Sequence, residues 1–290
     1  RIRQAIKAGE PIVVYGDYDV DGVTGASILF HMLRCLAPGA KVSTYVPHRL
    51  DEGYGLHSEA MTELAGRGAR VVVSVDCGIT AVEPARVARS LGLDLIITDH
   101  HNPPRRMDDL PDAYAVVHPR RPDSSYPFGE LSGAGVAYKL AWRLATLQAG
   151  GPRVAPDVRE LLVELLAMAA LGAIADIVPL VDENRVIARF GLARVKHSRN
   201  IGLRALVEAS GLADEKIDSI DVGFRLAPRL NASGRMGHAR EAMELFATED
   251  PARAAEIAAR LSEQNEQRQA VERKIFETAD QMAVAAGMTG

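Results

Sequence analysis

The sequence predicts an α/β fold, a parallel sheet with helices on both faces, followed by a helical region and a long terminal helix. Three observations predict it. Short apolar, β-branched runs of strand length recur between residues 11 and 117. Helix-length segments alternate with them, the signature of βαβ units. After Pro251 no Gly or Pro occurs until Gly287, and the stretch is rich in Ala, Glu, Arg and Gln.

Taken in order, Pro11–Tyr15 is the first expected strand, and Gly16–Gly22 a tight polar loop. Val23–Leu36 follows as a helix whose small first-turn residues (Gly25, Ala26, Ser27) let backbone and ligand approach closely. Lys41–Val46 is strand two, and His57–Arg67 a helix entered from a Gly53-Tyr54-Gly55 turn. Strand three, Arg70–Val75, stops at Asp76-Cys77-Gly78. Thr80–Leu91 is a helix that tolerates Pro84 in its first turn. Strand four, Leu93–Thr98, runs out into Asp99-His100-His101, and a short strand, Ala113–Val117, ends at His118-Pro119. Beyond Pro127 the pattern turns helical: Ser132–Ala149, the very apolar Val158–Ile174, Asn184–Lys196 and Leu203–Ala209. Ala227–Arg235 reads as a loop.

The chain of 290 residues is 47% hydrophobic, enough for a large core in one or two domains. A formal charge of −4 excludes a global basic field directed at nucleic acid. Arg105-Arg106 and Arg120-Arg121 could still line a groove that follows a strand, or be solvated surface. Cys35 and Cys77 are far apart, which points away from a disulfide framework or zinc knuckle and towards a reducing compartment. No stretch has the length and apolarity of a membrane span. The first residue is Arg, so a fragment is expected; no signal-peptide pattern opens it, and the cytoplasm is the expected compartment.

Ligands in open α/β sheets collect beyond the carboxyl ends of strands. There the chain places Asp17, Asp19 and Asp21 after strand one, Asp76 after strand three, and Asp99, His100 and His101 after strand four. Asp176 ends the apolar helix. Carboxylates so close repel unless a cation intervenes. Mixed Asp and His ligands suit Mn²⁺ or Mg²⁺ and accept Zn²⁺ or Co²⁺, and a pair of such ions is the usual device for phosphoester cleavage. An EF-hand is a poor reading of Asp17–Gly22, because its twelfth position is Ile28. Taken singly, each aspartate could instead be a turn former or a helix cap.

Six segments carry a family resemblance. They are Val13–Gly22, Val73–Ile79, Ile97–His101, Leu131–Ala137, Ala175–Pro179 and Arg229–Arg235. In this order they resemble the DHH phosphoesterase superfamily, and within it the RecJ-type single-strand-specific DNA exonucleases. The resemblance implies a DHH catalytic domain over residues 1–249, with its sheet in about 1–120 and its helical part in about 130–249. It implies that residues 250–290 are a connector helix towards a DHHA1 domain and DNA-binding modules that these residues do not contain.

The resemblance also assigns roles. Asp17, Asp19, Asp21, Asp76, His100 and Asp176 are implied ligands of two Mn²⁺ or Mg²⁺ ions, with Asp76 shared. Asp99 is expected to orient a histidine or its loop. His101 is placed beside the metals, polarising the phosphate or protonating the leaving oxygen, with a ligand or a structural hydrogen bond as alternatives. Asn231 and Arg235 are implied to grip substrate phosphates. The Ser132 and Gly133 amides open a helix and could hold a phosphate, or only cap it. His118 stands where many relatives carry Asn. The implied activity is 5′-to-3′ hydrolysis of single-stranded DNA to 5′-mononucleotides in repair and recombination, with a helicase and a single-strand-binding protein as partners. The alternatives are a DHH phosphodiesterase for nano-RNA, a cyclic dinucleotide or another small phosphoester, and a non-catalytic replication scaffold.

Overall fold

The computed structural model describes residues 1–49, 51–235 and 239–288, with the side chains of residues 235 and 239 left out. Its elements are α1 (Ile2–Ala8), β1 (Ile12–Gly16), α2 (Val20–Leu36), β2 (Val42–Tyr45), α3 (Ser58–Gly66), β3 (Val71–Val75), α4 (Val82–Ser90), β4 (Asp94–Thr98) and β5 (Ala115–Val117). There follow α5 (Gly133–Ala149), α6 (Pro156–Ala175), α7 (Asp182–Val195), α8 (Ile201–Ala209), α9 (Ser219–Asp221), α10 (Ala227–Arg235), α11 (Ala239–Ala247) and α12 (Pro251–Ala285).

The strands pair in parallel in the order β2-β1-β3-β4-β5. Alternate side chains along each strand enter opposite cores. Val13, Tyr15, Val72, Leu95 and Ile97 pack with Ala60, Met61 and Leu64 of α3 and Ala85 and Ala88 of α4. Ile12, Val14, Val71, Val73, Val75 and Ile96 pack with α2, α5 and α6. Both faces of β1, β3 and β4 are covered, so these central strands read as largely apolar runs. The chain steps from β1 to β2 in one direction and to β3, β4 and β5 in the other. That reversal opens a crevice between the carboxyl ends of β1 and β3.

Three features differ from expectation. First, α2 begins at Val20, because the Asp19 side chain caps it by accepting from Gly22 N at 3.0 Å; Asp21 and Gly22 are therefore helical. Second, the small residues of α2 serve packing between elements. A Cβ on Gly25 would meet Val75 and the backbone of Ala134, so α2 lies close against β3 and α5. Third, Ala227–Arg235 is helical. A π turn, Val222–Leu226, precedes it and buries Val222 and Leu226. Pro228 sits just beyond that turn, where its missing N–H and its ring would otherwise disturb a regular helix.

The first turns of α12 bury Ala254, Ile257, Ala258, Leu261 and Asn265, a stripe at helical spacing, and Val271, Ile275 and Phe276 beyond them are exposed. No described helix is long and apolar enough to cross a membrane.

Candidate metal centre at the carboxyl edge of the sheet

Four segments converge at the crevice. The β1–α2 turn brings Asp17, Asp19 and Asp21, the end of β3 brings Asp76, the end of β4 brings His100 and His101, and the C-cap of α6 brings Asp176. His100 Nε2 lies 3.1 Å from Asp76 Oδ1, 3.5 Å from Asp176 Oδ2 and 3.8 Å from Asp21 Oδ2. His101 Nδ1 is 3.9 Å from Asp76 Oδ1. Ligand atoms of Asp17, Asp19 and Asp76 lie within 4.8 Å of one another, as do those of Asp21, His100 and Asp176, and those of Asp76, His100 and His101. Asp76 belongs to two of these sets.

The site is built to receive positive charge. Both Asp17 carboxylate oxygens, Asp76 Oδ1 and His100 Nε2 are buried and make no hydrogen bond. Such orphans are costly in a folded protein. Burial, then repulsion from Asp19, pushes the Asp17 carboxyl up to about 7. Burial, then Asp176, pushes Asp21 up to about 8. Burial and then Asp19 raise Asp176 to about 6, and Asp76 is raised well above the ordinary value by burial and Asp21. Burial, then His101, lowers His100 to about 4, which leaves a neutral imidazole with a lone pair to give. Acidic groups and a neutral imidazole aimed at one another without partners fit divalent cations.

Asp21 has a second task. Its oxygens accept from Gly133 N at 2.5 Å and Ala134 N at 2.9 Å, and Ser132 caps α5 by accepting from Gly135 N. Of the two readings left open for this helix start, phosphate binding or capping, the Gly133 amide is here engaged within the protein. The acceptor at this helix N-terminus is the protein's own carboxylate, 112 residues away from Gly133 in sequence. A carboxylate offers about four acceptor positions, so Asp21 keeps capacity for a cation. A Cβ on Gly133 would collide with the Asp76 carboxylate. Gly133→Ala is expected to cost about 1–3 kcal/mol in denaturant unfolding and to weaken Mn²⁺ binding in calorimetry. Wild-type values for both would remove Gly133 from the architecture of the site.

Asp99 is fully engaged. Its Oδ1 accepts from His100 N (2.7 Å), His101 N (3.1 Å) and His101 Nδ1 (2.7 Å), and its Oδ2 from Ile79 N (2.8 Å). Burial raises its carboxyl, and the His101 ring with these amides more than reverses that. The Asp99 bond in turn raises the His101 imidazole.

Three further residues hold this loop; of these Arg120 was a candidate groove residue, whereas His118 and Tyr54 had no assigned role. His118 Nε2 donates to the His101 carbonyl (2.7 Å) while Nδ1 accepts from Arg120 N (2.9 Å), and Arg120 Nη2 donates to the His100 carbonyl (2.6 Å). Tyr54 was read only as part of a turn. Its flanking Gly53 and Gly55 adopt φ of 86° and 91°, and this excursion carries the phenol 3.3 Å from the Asp76 carbonyl and 3.2 Å from His101 Nδ1. A Tyr between two glycines is the signal that could have pointed to it.

Asn231 sits on α10, and its Oδ1 accepts from Val20 N at 3.2 Å, tying α10 to the first turn of α2. The Arg235 side chain and His238 lie outside the described residues. Arg106 pairs with Asp108 and Arg121 with Asp123, so these arginines serve their own loops.

A family model, the DHH family N-terminal domain, matches residues 11–172. The chain belongs to the DHH family. It is 45% identical over 288 residues to the single-stranded-DNA-specific exonuclease RecJ of Bacillus subtilis, covering 99% of this chain and 34% of that one. It is 38% identical over 289 residues to RecJ of Thermus thermophilus, covering 98% and 40%. The crystal structure of an exonuclease RecJ bound to manganese superposes with a TM-score of 0.82 at 38% identity, over 96% of this chain and 66% of that one. This DHH chain thus spans 34% to 40% of those two curated relatives. The matched stretch holds the β1–α2 turn, the end of β3, the end of β4 and the α5 N-terminus.

Proposed function

We propose that this DHH chain carries the catalytic centre of a metal-dependent 5′-to-3′ exonuclease that hydrolyses single-stranded DNA to 5′-mononucleotides in repair and recombination. The observation that carries the hydrolytic part is the convergence of Asp17, Asp76 and His100, with unpartnered buried ligand atoms, beside Asp19, Asp21 and Asp176. The single-strand substrate and the polarity rest on likeness to proteins named single-stranded-DNA-specific exonucleases.

Asp17, Asp19, Asp21, Asp76, His100 and Asp176 would hold two Mn²⁺ or Mg²⁺ ions, in keeping with the manganese of the similar crystal structure. When bound, such ions activate water as a nucleophile and offset charge on the phosphate. The Asp99 carboxylate fixes His101 Nδ1, which leaves Nε2 of a proton-retaining imidazole to protonate the departing 3′ oxygen. Tyr54 packs edge-on to the His101 ring and limits its rotation. Asn231 lines the cavity beside Asp176 and would position the terminal nucleotide, and Arg235, by the family resemblance, would grip its phosphate. Residues 1–249 form the catalytic unit, and the exposed second half of α12 serves as connector. The compartment is the cytoplasm. A hydrolase confined to single strands needs a reaction that separates duplexes, so a helicase and a single-strand-binding protein are its partners.

Oligonucleotides labelled at either end, single-stranded or duplex, test the reading in Mn²⁺ and in chelator. Expected are mononucleotides from the 5′ end of the single strand alone, and none in chelator. Faster turnover of nano-RNA, a cyclic dinucleotide or pyrophosphate would move the substrate to a small phosphoester. Absence of a divalent site in calorimetry would leave only a scaffold.

A further inference from the structure

A cavity of about 490 Å³ opens beside Asp176, walled by Ala175, Ile177, Phe224, Pro228, Asn231 and Arg268 among others. Two of its walls are costly to the folded chain. Ile177 is 87% exposed and Phe224 77% exposed, so neither large apolar side chain is sheltered by the protein. Ile177 also adopts φ 59°, a left-handed conformation that a β-branched residue takes only under constraint. Phe224 is carried outward by the π turn whose Val222 and Leu226 are anchored in the core.

We infer that this cavity is a nucleobase subsite, in which a base next to the scissile phosphate lies against Phe224 and Ile177. The inference rests on the single-strand reading above and specifies where the strand passes. The cavity is walled by neighbours of the metal-centre residues. Ala175 and Ile177 flank Asp176, and Asn231 is bonded to Val20, the residue between Asp19 and Asp21. Among the cavity's described lining residues Arg268 is the one charged side chain, held at the edge by Glu272 and Asn265. A site with flat apolar walls and a guanidinium at its edge accepts an aromatic ring joined to a phosphate. A polynucleotide strand crossing the acidic centre presents both. The volume lies in the range of small-molecule sites.

The test uses the intact protein, a 5′-labelled single strand and Mn²⁺. Phe224 is exposed, so Phe224→Ala leaves the core unchanged. It is expected to raise KM about 10-fold or more with a smaller change in kcat, and Phe224→Trp to restore KM. Strands with one abasic residue, placed in turn at the first four positions, supply the second arm. At one position the missing base should weaken the wild type as much as the Phe224→Ala change does, and cost that variant nothing further. An active wild type with an unchanged Phe224→Ala variant, as when a protein segment or a second copy covers this face, overturns the subsite alone. Losses that simply multiply at every position overturn it too. A wild type inactive on every single strand removes the proposed function, and the subsite with it.

Discussion

Exchanging Asp76 for Asn, or His100 for Ala, is expected to lower Mn²⁺-dependent nucleotide release by about 10³-fold or more, the upper end of what loss of a single charge-stabilising group costs. Asp76 faces the Asp17–Asp19 side and the His100–His101 side of the cluster, so its loss touches both halves. His100 Nε2 has three carboxylates within 4 Å and no hydrogen bond. Asn is the informative replacement at residue 76. The backbone there has φ 65°, which Asn tolerates and Ala does so only at a cost of about 1–2 kcal/mol. Without metal, Asp76→Asn should also stabilise the fold in denaturant, because it removes one of several buried like charges. Loss of activity together with gained metal-free stability is a combination that general damage does not produce. Release near the wild-type rate by either variant would refute the ligand assignment.

The parallel sheet was legible because its central strands are buried on both faces and therefore read as largely apolar runs such as Val71–Val75 and Asp94–Thr98, each followed by an aspartate. Element ends were less legible. The start of α2 is set by the Asp19 cap, and in a sequence Asp19 looks the same as any turn aspartate. Ala227–Arg235 was misread because Pro228, Asn231, Ser233 and Gly234 have loop composition. What decides the matter is the burial of Leu226 and Leu230 and a π turn that accommodates the proline, neither of which has a local signature. Composition also could not show that the Gly133 and Ala134 amides meet Asp21, since that pairing exists only after α2 and α5 pack. His118 and Arg120 act through the carbonyls of the loop they hold, so their contribution depends on position rather than residue type.

Metal-free protein should lose stability as pH rises from about 5 to 8, and divalent metal should restore more of it at pH 8 than at pH 5. Asp17, Asp21 and Asp176 are held at about 7, 8 and 6 in the fold, against about 3.9 in an unfolded chain. The folded state therefore binds more protons than the unfolded state across this window, and stability falls as pH rises through it. The contribution is complete below about pH 4 and lost once the folded values are passed. Asp99 has the opposite sign, since its folded value is lowered, and its contribution disappears only on acidification below the ordinary carboxylate range. It leaves the window unaffected, whereas His100, lowered to about 4, opposes the fall below about pH 6.5 and leaves the steepest loss between about pH 6.5 and 8. Mn²⁺ or Mg²⁺ displaces the protons from the raised carboxylates, so binding tightens with pH and adds to stability by mass action. Thermal melts in chelator and in excess metal read both effects, with a metal-dependent rise of about 5 °C or more at pH 8 and a smaller one at pH 5. Asp76→Asn should flatten the metal-free slope and remove most of the metal-induced rise. A metal-free melting point that is constant or climbs from pH 5 to 8, or a metal effect of equal size at both, would mean that these carboxylates do not share one cation site.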